Sequence, residues 1–245
     1  MQKEHFRIWS NTWTCLNFQN LNDIMKYNVV NLILKTDLKL TASPTKVRGY
    51  IGNTFKDYPI LHNHYSNDKF LYSYPYVQYK VINGDVLIVG IDEGADLVKK
   101  IAPELSVLSL DREYKITEKL IHEKEFDIKP SSEERHYKFI TPWMGLNQGN
   151  YKKYTNTKSW KDKKEILNKV LVGNLLSMSK GLGIIVNKRL YAKTHFDEKI
   201  VEYKGVKMNA FTGEFKIHYD IPDYFGLGKG VSQGFGCVKQ IFDEE

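Results

Sequence analysis

Runs of apolar residues, separated by polar residues, glycine and proline, divide the chain into two successive series of secondary-structure elements. In the first series, continuous or alternating apolar runs predict strands, and apolar residues at helical spacing predict helices. The predicted elements are a strand over 29–40, a helix over about 44–56, strands over 72–82 and 86–89, a helix over about 93–102, and one or two strands over 107–128. This order, strand-helix-strand-strand-helix-strand, is the ferredoxin-like pattern.

Local signals support three of these elements. Ser43-Pro44 supplies an N-cap and a proline at the first helical position of the first helix. Asn83-Gly84 is typical of a tight hairpin turn, because a type I′ turn needs a positive φ at both central residues. Asp92 is predicted to cap the second helix through its side chain.

The second series follows a stretch with linker composition at 129–134. Its predicted elements are a strand over 136–140, a helix over 160–178, several strands over 184–219 with turns at Asp197-Glu198 and Gly205, and a last strand over 237–242. The polar, lysine-rich stretch 143–158 receives no element. The series resembles the first one, except that the second helix is eroded or missing.

The predicted fold class is therefore α+β, with two tandem ferredoxin-like βαββαβ domains. The N-terminal domain would comprise residues 1–129, of which 1–28 form an extension, and the C-terminal domain would comprise residues 130–245. A length of 245 residues suits one large domain or two small ones.

Composition bears on the charge of the partner, on the redox compartment and on whether the protein enters a membrane or the secretory route. A net charge of +7 makes an acidic partner plausible. The only cysteines, Cys15 and Cys237, form no C-x-x-C motif, which excludes a cysteine zinc site and favours a reducing compartment. No signal-peptide apolar region occurs in residues 1–20, and no run of 18 apolar residues occurs anywhere. We therefore expect a cytoplasmic protein without a membrane anchor.

A glycine-rich stretch near the C-terminus has five glycines within residues 226–236 and a lysine, Lys229, among them. Glycine permits positive φ and close backbone approach, and exposed N–H groups in such loops bind anions. A P-loop or a dinucleotide fingerprint would have to open a helix, and no helical pattern follows here. From these residues alone, a hairpin without a ligand is the favoured interpretation.

The loop after the first helix contains two histidines, His62 and His64, with Lys69 nearby. Histidine both takes and gives a proton near neutral pH. RNA cleavage through its own 2′-OH needs a base, an acid and a cation near the phosphate, and these three side chains would supply them. The residues alone leave three alternatives open, in this order: plain loop chemistry, a nuclease site, and a metal site.

The glycine-rich stretch matches the pattern G-x-G-x-x-x-x-x-G-x-G position by position, and this pattern resembles the signature loop of the RAMP superfamily of CRISPR RNA-binding proteins. A second stretch, from Arg48-Gly-Tyr-Ile-Gly through Leu61-His62-Asn63-His64 to Lys80, is similar to the repeat-processing endoribonuclease branch. The resemblance implies that His62 and His64 are catalytic, without deciding which dominates, and that Tyr50 and Lys69 assist them.

The resemblance also implies that the glycine-rich loop holds RNA. The expected RNA-binding residues are Lys46, Arg48, Lys152, Lys153, Lys161, Lys164, Gly226, Gly228, Lys229, Gly230, Gly234 and Gly236. For Lys152, Lys153, Lys161 and Lys164, a merely solvated helix surface is an equally good interpretation.

Three functions follow from these observations. The preferred one is a metal-independent endoribonuclease that cuts CRISPR repeat RNA in precursor transcripts, leaving 5′-OH and 2′,3′-cyclic phosphate ends without a cofactor. The first alternative is a non-catalytic RAMP subunit, bound to other Cas subunits in an effector complex. The second is a metal-dependent hydrolase with the two histidines as ligands. Relatives are monomers or homodimers, and the sequence does not choose between them.

Overall fold

The computed structural model describes residues 26–62 and 74–242, and the first half of the chain forms a five-stranded sheet. Its elements are β1 (Lys26–Thr36), α1 (Pro44–Thr54), a 3₁₀ helix (Pro59–His62), β2 (Val77–Ile82), β3 (Asp85–Ile91), α2 (Glu93–Ile101), a 3₁₀ helix (Ala102–Glu104), β4 (Val107–Ser109) and β5 (Glu113–Asp127). The strand order is β2-β3-β1-β5-β4, and every neighbouring pair is antiparallel.

The second half forms a four-stranded antiparallel sheet. Its elements are β6 (Pro130–Trp143), α3 (Gln148–Asn156), α4 (Trp160–Gly181), β7 (Ala192–Tyr203), β8 (Val206–Tyr219), a 3₁₀ helix (Val231–Gln233) and β9 (Val238–Ile241). The strand order is β7-β8-β6-β9. The connection from β8 to β9 contains that one short 3₁₀ helix and the glycine-rich stretch.

Two apolar cores hold the chain together. One lies between the first sheet and its helices, where Val30 and Leu32 of β1 pack with Val47 and Ile51 of α1. The other packs α4 on the second sheet and extends to the opposite face of the first sheet. Neighbouring residues of β1 point alternately to the two faces of its sheet, so β1 contributes to both cores, and the second core is shared by the two halves.

The first half differs from the sequence-based predictions in three places. Strand β1 begins at Lys26, inside the predicted extension 1–28, and ends at Thr36; residues 1–25 lie outside the described part. Strand β2 begins at Val77 and not at residue 72. Asp92 has φ 47° and makes no side-chain cap for α2; its carboxylate instead accepts a hydrogen bond of 2.9 Å from the backbone N–H of Asn28. Its side chain therefore ties β1 to the start of α2.

In the second half, two predictions are wrong: the linker at 129–134 and the turn at Asp197-Glu198. Strand β6 begins at Pro130, so the connection between the halves is limited to residues 128–129. Asp197 and Glu198 lie inside β7, which pairs with β8 without interruption from Ala192 to Tyr203. The turn at Gly205 is confirmed: Lys204 and Gly205 have φ values of 52° and 75°, as a type I′ hairpin requires.

Helix α3 lies in the stretch to which the sequence assigned no element. It begins after Asn147, whose side chain accepts a hydrogen bond of 2.8 Å from the backbone N–H of Asn150. Tyr154 is its one buried residue, so the helix has no apolar stripe that a periodicity argument could detect. Among the helices of residues 26–62 and 74–242, none is long and apolar enough to cross a membrane.

Candidate nucleic-acid interface

The segment that leads to the candidate catalytic histidines is anchored to the first sheet. After α1, the chain forms the 3₁₀ helix Pro59–His62, called the histidine segment below, whose residue Leu61 is buried. The buried hydroxyl of Tyr79 on β2 donates a hydrogen bond of 3.2 Å to the carbonyl oxygen of Leu61. The backbone immediately before His62 is thereby fixed against β2. His64 and Lys69 lie outside the described residues.

Burial raises the pKa of Tyr79 above its ordinary value, and the Coulombic influence of Arg48 acts in the opposite direction. The phenol therefore stays protonated throughout the neutral range and remains a hydrogen-bond donor. Arg48 itself is half-buried on α1, and desolvation lowers its pKa, while Tyr79 and Tyr203 act in the opposite direction. The guanidinium of Arg48 is thus under the electrostatic influence of one tyrosine from each half of the chain.

The other candidate assistant, Tyr50, is half-buried on α1. Its hydroxyl donates a hydrogen bond of 3.0 Å to the carbonyl oxygen of Val107 on β4. Tyr50 also lines a cavity of about 550 Å³ between α1 and the end of β4, together with the exposed Lys46. Tyr50 thus has a structural hydrogen bond and also faces an open cavity on the surface of α1.

The glycine-rich stretch folds into a compact loop, and most of its backbone N–H groups donate hydrogen bonds to other groups of the protein. Its backbone hydrogen bonds include Leu227 N to Gly236 O (2.9 Å), Lys229 N to Met144 O (3.0 Å), Gln233 N to Gly230 O (2.8 Å), Gly234 N to Val231 O (3.2 Å) and Gly236 N to Pro142 O (2.8 Å). Gly226, Gly234 and Gly236 are buried, whereas Gly228 and Lys229 are exposed and Gly230 is half-exposed.

Two of the buried glycines explain why the loop needs this residue. Gly236 has φ 64°, and a Cβ there would lie 2.0 Å from the carbonyl oxygen of Leu227. Gly234 has φ 89°, and a Cβ there would lie 2.7 Å from Pro44 and 3.1 Å from the carbonyl oxygen of Tyr79. The loop therefore packs against the start of α1 and against the strand that anchors the histidine segment.

A buried polar cluster joins the loop to β2. The Gln78 side-chain oxygen accepts hydrogen bonds from the backbone N–H of Gly226 (3.1 Å) and from the amine of Lys80 (3.0 Å). The hydroxyl of Tyr74 donates to the carbonyl oxygen of Gly226 at 2.9 Å. Burial lowers the pKa of Lys80 to about 8. These bonds satisfy buried groups that would otherwise cost free energy, and they fix the loop to the first half of the chain.

The exposed tip of the loop forms one wall of a cavity of about 1180 Å³. The other walls are the start of α3, the C-terminal half of α4, and the turn between β7 and β8. The amine of Lys229 lies 5.1 Å from the ring centroid of Tyr203, next to that turn. Strand packing thus brings two basic segments, far apart in sequence, to one surface.

The four candidate lysines of α3 and α4 are exposed. Lys152 and Lys153 lie on α3, directly after Tyr151, which lines the large cavity. Lys161 and Lys164 lie in the first turns of α4. None of the four has a carboxylate partner within salt-bridge distance among the described residues. The structure therefore leaves their charges available to an anionic ligand.

Sequence reasoning missed several residues of this region: Tyr79, Tyr151, Tyr203, Lys204 and Lys207. The Lys204-Gly205 pair between two β-type runs was a detectable signal, because a basic residue at a hairpin tip projects into solvent. The role of Tyr79 depends on a tertiary hydrogen bond that no local pattern indicates.

Family models match most of the chain. The model of the Cas6b N-terminal domain matches residues 25–127, and the model of the Cas6b C-terminal domain matches residues 129–241. A crystal structure of Cas6b is 35% identical, with a TM-score of 0.81 over 89% of this chain and 100% of that chain.

The chain is also similar to two further proteins, one solved and one uncharacterized. A crystal structure of the CRISPR RNA processing endoribonuclease Cas6b is 32% identical, with a TM-score of 0.72, and covers 89% of this chain and 100% of that one. An uncharacterized protein of Methanocaldococcus jannaschii is 46% identical over 106 residues, which are 43% of this chain and 71% of the relative. The resemblance indicated by the sequence is thus confirmed, and the chain belongs to the Cas6b endoribonuclease family.

Proposed function

We propose that this protein is the endoribonuclease that binds CRISPR repeat RNA in precursor transcripts and cuts it to release guide RNAs. Membership of the Cas6b family supports this proposal, since one solved relative is a CRISPR RNA processing endoribonuclease. The observation that carries it is the contact between the histidine segment and the glycine-rich loop through β2, with Tyr79 hydrogen-bonded to Leu61 and packed against Gly234.

The proposed reaction needs no metal ion. One histidine of the pair His62 and His64 takes the proton from the 2′-OH of the nucleotide before the cut, and the 2′ oxygen attacks the adjacent phosphorus. The other histidine gives a proton to the departing 5′ oxygen. The P–O5′ bond breaks as the P–O2′ bond forms, which leaves a 2′,3′-cyclic phosphate and a 5′-OH. Lys69 stabilises the charge on the phosphorane, with Tyr50 assisting at the same phosphate.

RNA binding is assigned to the exposed cations and to the tip of the glycine-rich loop. Gly228, Lys229 and Gly230 would contact the RNA directly, because they reach the surface. The buried glycines Gly226, Gly234 and Gly236 would act through the shape of the loop. The flanking basic residues are Lys46 and Arg48 on α1, Lys152 and Lys153 on α3, and Lys161 and Lys164 on α4.

In this proposal each half is a ferredoxin-like unit. The strand orders β5-β1-β3-β2 and β9-β6-β8-β7 support it, since corresponding strands occupy corresponding places in the two sheets. The connection between β8 and β9 takes the place of a second helix and carries the glycine-rich loop. The glycine-rich loop would thus stand where the ferredoxin-like fold has its second helix, and it would contact the RNA.

The cytoplasm is the proposed location, because precursor transcripts are found there. The free, buried Cys237 also suits its reducing conditions. Repeat RNA is the principal partner, and other Cas subunits would be secondary partners. Within residues 26–62 and 74–242, no group of three His, Cys, Asp or Glu side chains is placed to hold a metal ion. The alternative of a metal site takes His62 and His64 as ligands, and cleavage in EDTA tests it.

Alanine variants of the two histidines test the catalytic assignment. We expect His62→Ala and His64→Ala to slow cleavage of repeat RNA by about 10²–10⁴-fold each, while the dissociation constant for the RNA stays within about twofold. His218→Ala, at an exposed position on β8, is the matched control and should cut at the wild-type rate. Tight binding without any cleavage by the wild-type protein would instead support the non-catalytic subunit.

A further inference from the structure

The large cavity beside the glycine-rich loop has more room than a small-ligand site. Its volume of about 1180 Å³ exceeds the roughly 300–1,000 Å³ typical of small-molecule pockets. Its walls are the tip of the loop, the start of α3, the C-terminal half of α4 and the turn between β7 and β8. A cavity of this size and shape suits a short segment of a polymer.

The charge of the cavity is wholly positive among the residues that line it. Lys204 and Lys207 come from the turn between β7 and β8, and Lys229 comes from the tip of the loop. None of the described lining residues is Asp or Glu, and none of these three lysines has a salt-bridge partner in the described part of the chain. Three unneutralised amines around one cavity select a ligand with several negative charges.

The aromatic side chains of the cavity differ in their surroundings. Tyr203 is occupied, since Phe235 packs edge-on against it at 5.8 Å and the amine of Lys229 lies over its ring. Tyr151, on the first turns of α3, is 43% exposed. Its ring has no aromatic or cationic neighbour and its hydroxyl no hydrogen bond among the described residues. Tyr151 therefore offers a free aromatic face to whatever enters the cavity.

We propose that this cavity binds an unpaired segment of the RNA, with one base stacked on Tyr151 and the neighbouring phosphates held by Lys204, Lys207 and Lys229. Aromatic stacking of splayed bases beside a cationic track is the usual means of binding single-stranded RNA. A duplex would bring phosphates but no free base face to the ring. This inference rests on the proposed function for the identity of the nucleic acid, and it adds a site for unpaired nucleotides to that function.

Site-specific fluorescence tests this stacking. Repeat RNAs with their flanking nucleotides would carry 2-aminopurine at one position each, and they would be mixed with a His62→Ala/His64→Ala double variant so that no RNA is cut. We expect quenching on binding at one unpaired position, its loss in Tyr151→Ala and its retention in Tyr151→Phe. Affinity for this RNA should fall about 5- to 150-fold in Tyr151→Ala.

Two controls make the result specific. Tyr191→Ala removes a tyrosine that is 66% exposed and lies outside the cavity, and it should change neither quenching nor affinity. A fully paired duplex of the same sequence should lose no affinity in Tyr151→Ala. The Tm of Tyr151→Ala should equal that of the wild type, because Tyr151 is exposed and contributes little to the core.

The outcomes separate this inference from the proposed function. Quenching that persists in Tyr151→Ala, or equal losses with duplex and unpaired RNA, would overturn the stacking site even if the wild-type protein cuts the repeat. Quenching that depends on Tyr151, in a protein that never cuts, would sustain the site and refute the endoribonuclease. A protein that binds none of these RNAs would refute both.

Discussion

The hydroxyl of Tyr79 and the carbonyl oxygen of Leu61 are joined by a buried hydrogen bond of 3.2 Å, one residue before His62. The backbone of the same tyrosine lies against Gly234 of the glycine-rich loop. A single residue of β2 therefore contacts both stretches that carry the family resemblance. The geometry of the histidine segment therefore depends on the same strand that supports the glycine-rich loop.

Removing this hydroxyl should affect cleavage more than binding. In Tyr79→Phe, the carbonyl of Leu61 loses its partner, and we expect a loss of about 1 kcal/mol in the free energy of unfolding. Displacement of the histidine segment should lower kcat by up to about 10²-fold, with little change in RNA affinity. Single-turnover cleavage and RNA-binding titrations would measure the two effects separately.

Tyr27→Phe is the matched control for this variant. The hydroxyl of Tyr27 also donates to a backbone carbonyl, that of Leu182, at 2.8 Å in a buried site. Its removal should cost similar stability and leave kcat unchanged. Equal losses of kcat in both variants would mean that general destabilisation, and not the position of the histidine segment, accounts for the effect.

The buried glycines of the loop should tolerate no side chain. In Gly236→Ala, the new Cβ would lie 2.0 Å from the carbonyl oxygen of Leu227 at a φ of 64°, so the loop must shift. We expect a loss of more than about 1 kcal/mol of stability and weaker RNA binding. Gly173→Ala is the control, because Gly173 is helical with no atom within 4 Å of its Cβ position, and it should stabilise by up to about 1 kcal/mol. Chemical denaturation of both variants and of the wild type would measure these changes in the free energy of unfolding.

The buried Lys80 should make stability rise with pH. Its pKa in the folded chain, about 8, lies below the ordinary 10.5, so between these pH values the unfolded chain binds a proton that the folded chain does not. The free energy of unfolding therefore increases with pH over this window. The thiol of Cys237, whose pKa burial raises to about 12, acts in the opposite direction above pH 9.

The contribution of Lys80 is isolated by subtraction. The difference in stability between Lys80→Met and the wild type should favour the variant below pH 8 and diminish steadily as the pH rises to 10. Denaturant unfolding at several pH values would measure this difference. A difference that does not vary with pH would show that Lys80 is not desolvated as the structure indicates.

The lysines of α3 and α4 should contribute by binding phosphates. Replacing Lys152, Lys153, Lys161 and Lys164 by Gln should reduce the slope of log affinity against log salt by about 0.7–0.9 for each phosphate that is no longer neutralised. The control replaces four lysines that are paired with carboxylates, Lys26, Lys35, Lys99 and Lys193. If the salt dependence of RNA affinity is reduced equally in both sets, the lysines of α3 and α4 act only through the net charge of the protein and do not bind particular phosphates.

The order of elements could be predicted because most of them bury an apolar face. Strands such as β1 and β3 and the long helix α4 follow the expected periods, and Asn83-Gly84 forms the expected turn with φ values of 52° and 81°. Helix α3 escaped detection because it buries only Tyr154. Strand β6 extends into the apparent linker because its start pairs with β8, at Pro130 and Tyr219.

The candidate site could be predicted only in part. Motif spacing selected the histidine pair and the glycine-rich loop as candidates, and their roles in the site stay predictions. The sequence could not show that most N–H groups of the loop are hydrogen-bonded, because several partners lie outside the loop, such as Pro142 in β6 and Met144 directly after it. Nor could it bring Tyr151 and Lys229 to one cavity, since 78 positions separate them and only tertiary packing joins them.

The most direct test of the central claim is cleavage of the host's CRISPR repeat RNA in EDTA, beside the same RNA with a single 2′-deoxy nucleotide before the cut. Attack by the 2′-OH predicts one cut at the full rate in EDTA, a 2′,3′-cyclic phosphate on the upstream product, and no cut in the deoxy RNA. Cleavage that EDTA abolishes, or that continues in the deoxy RNA, would contradict a metal-independent endoribonuclease that uses its histidines for proton transfer.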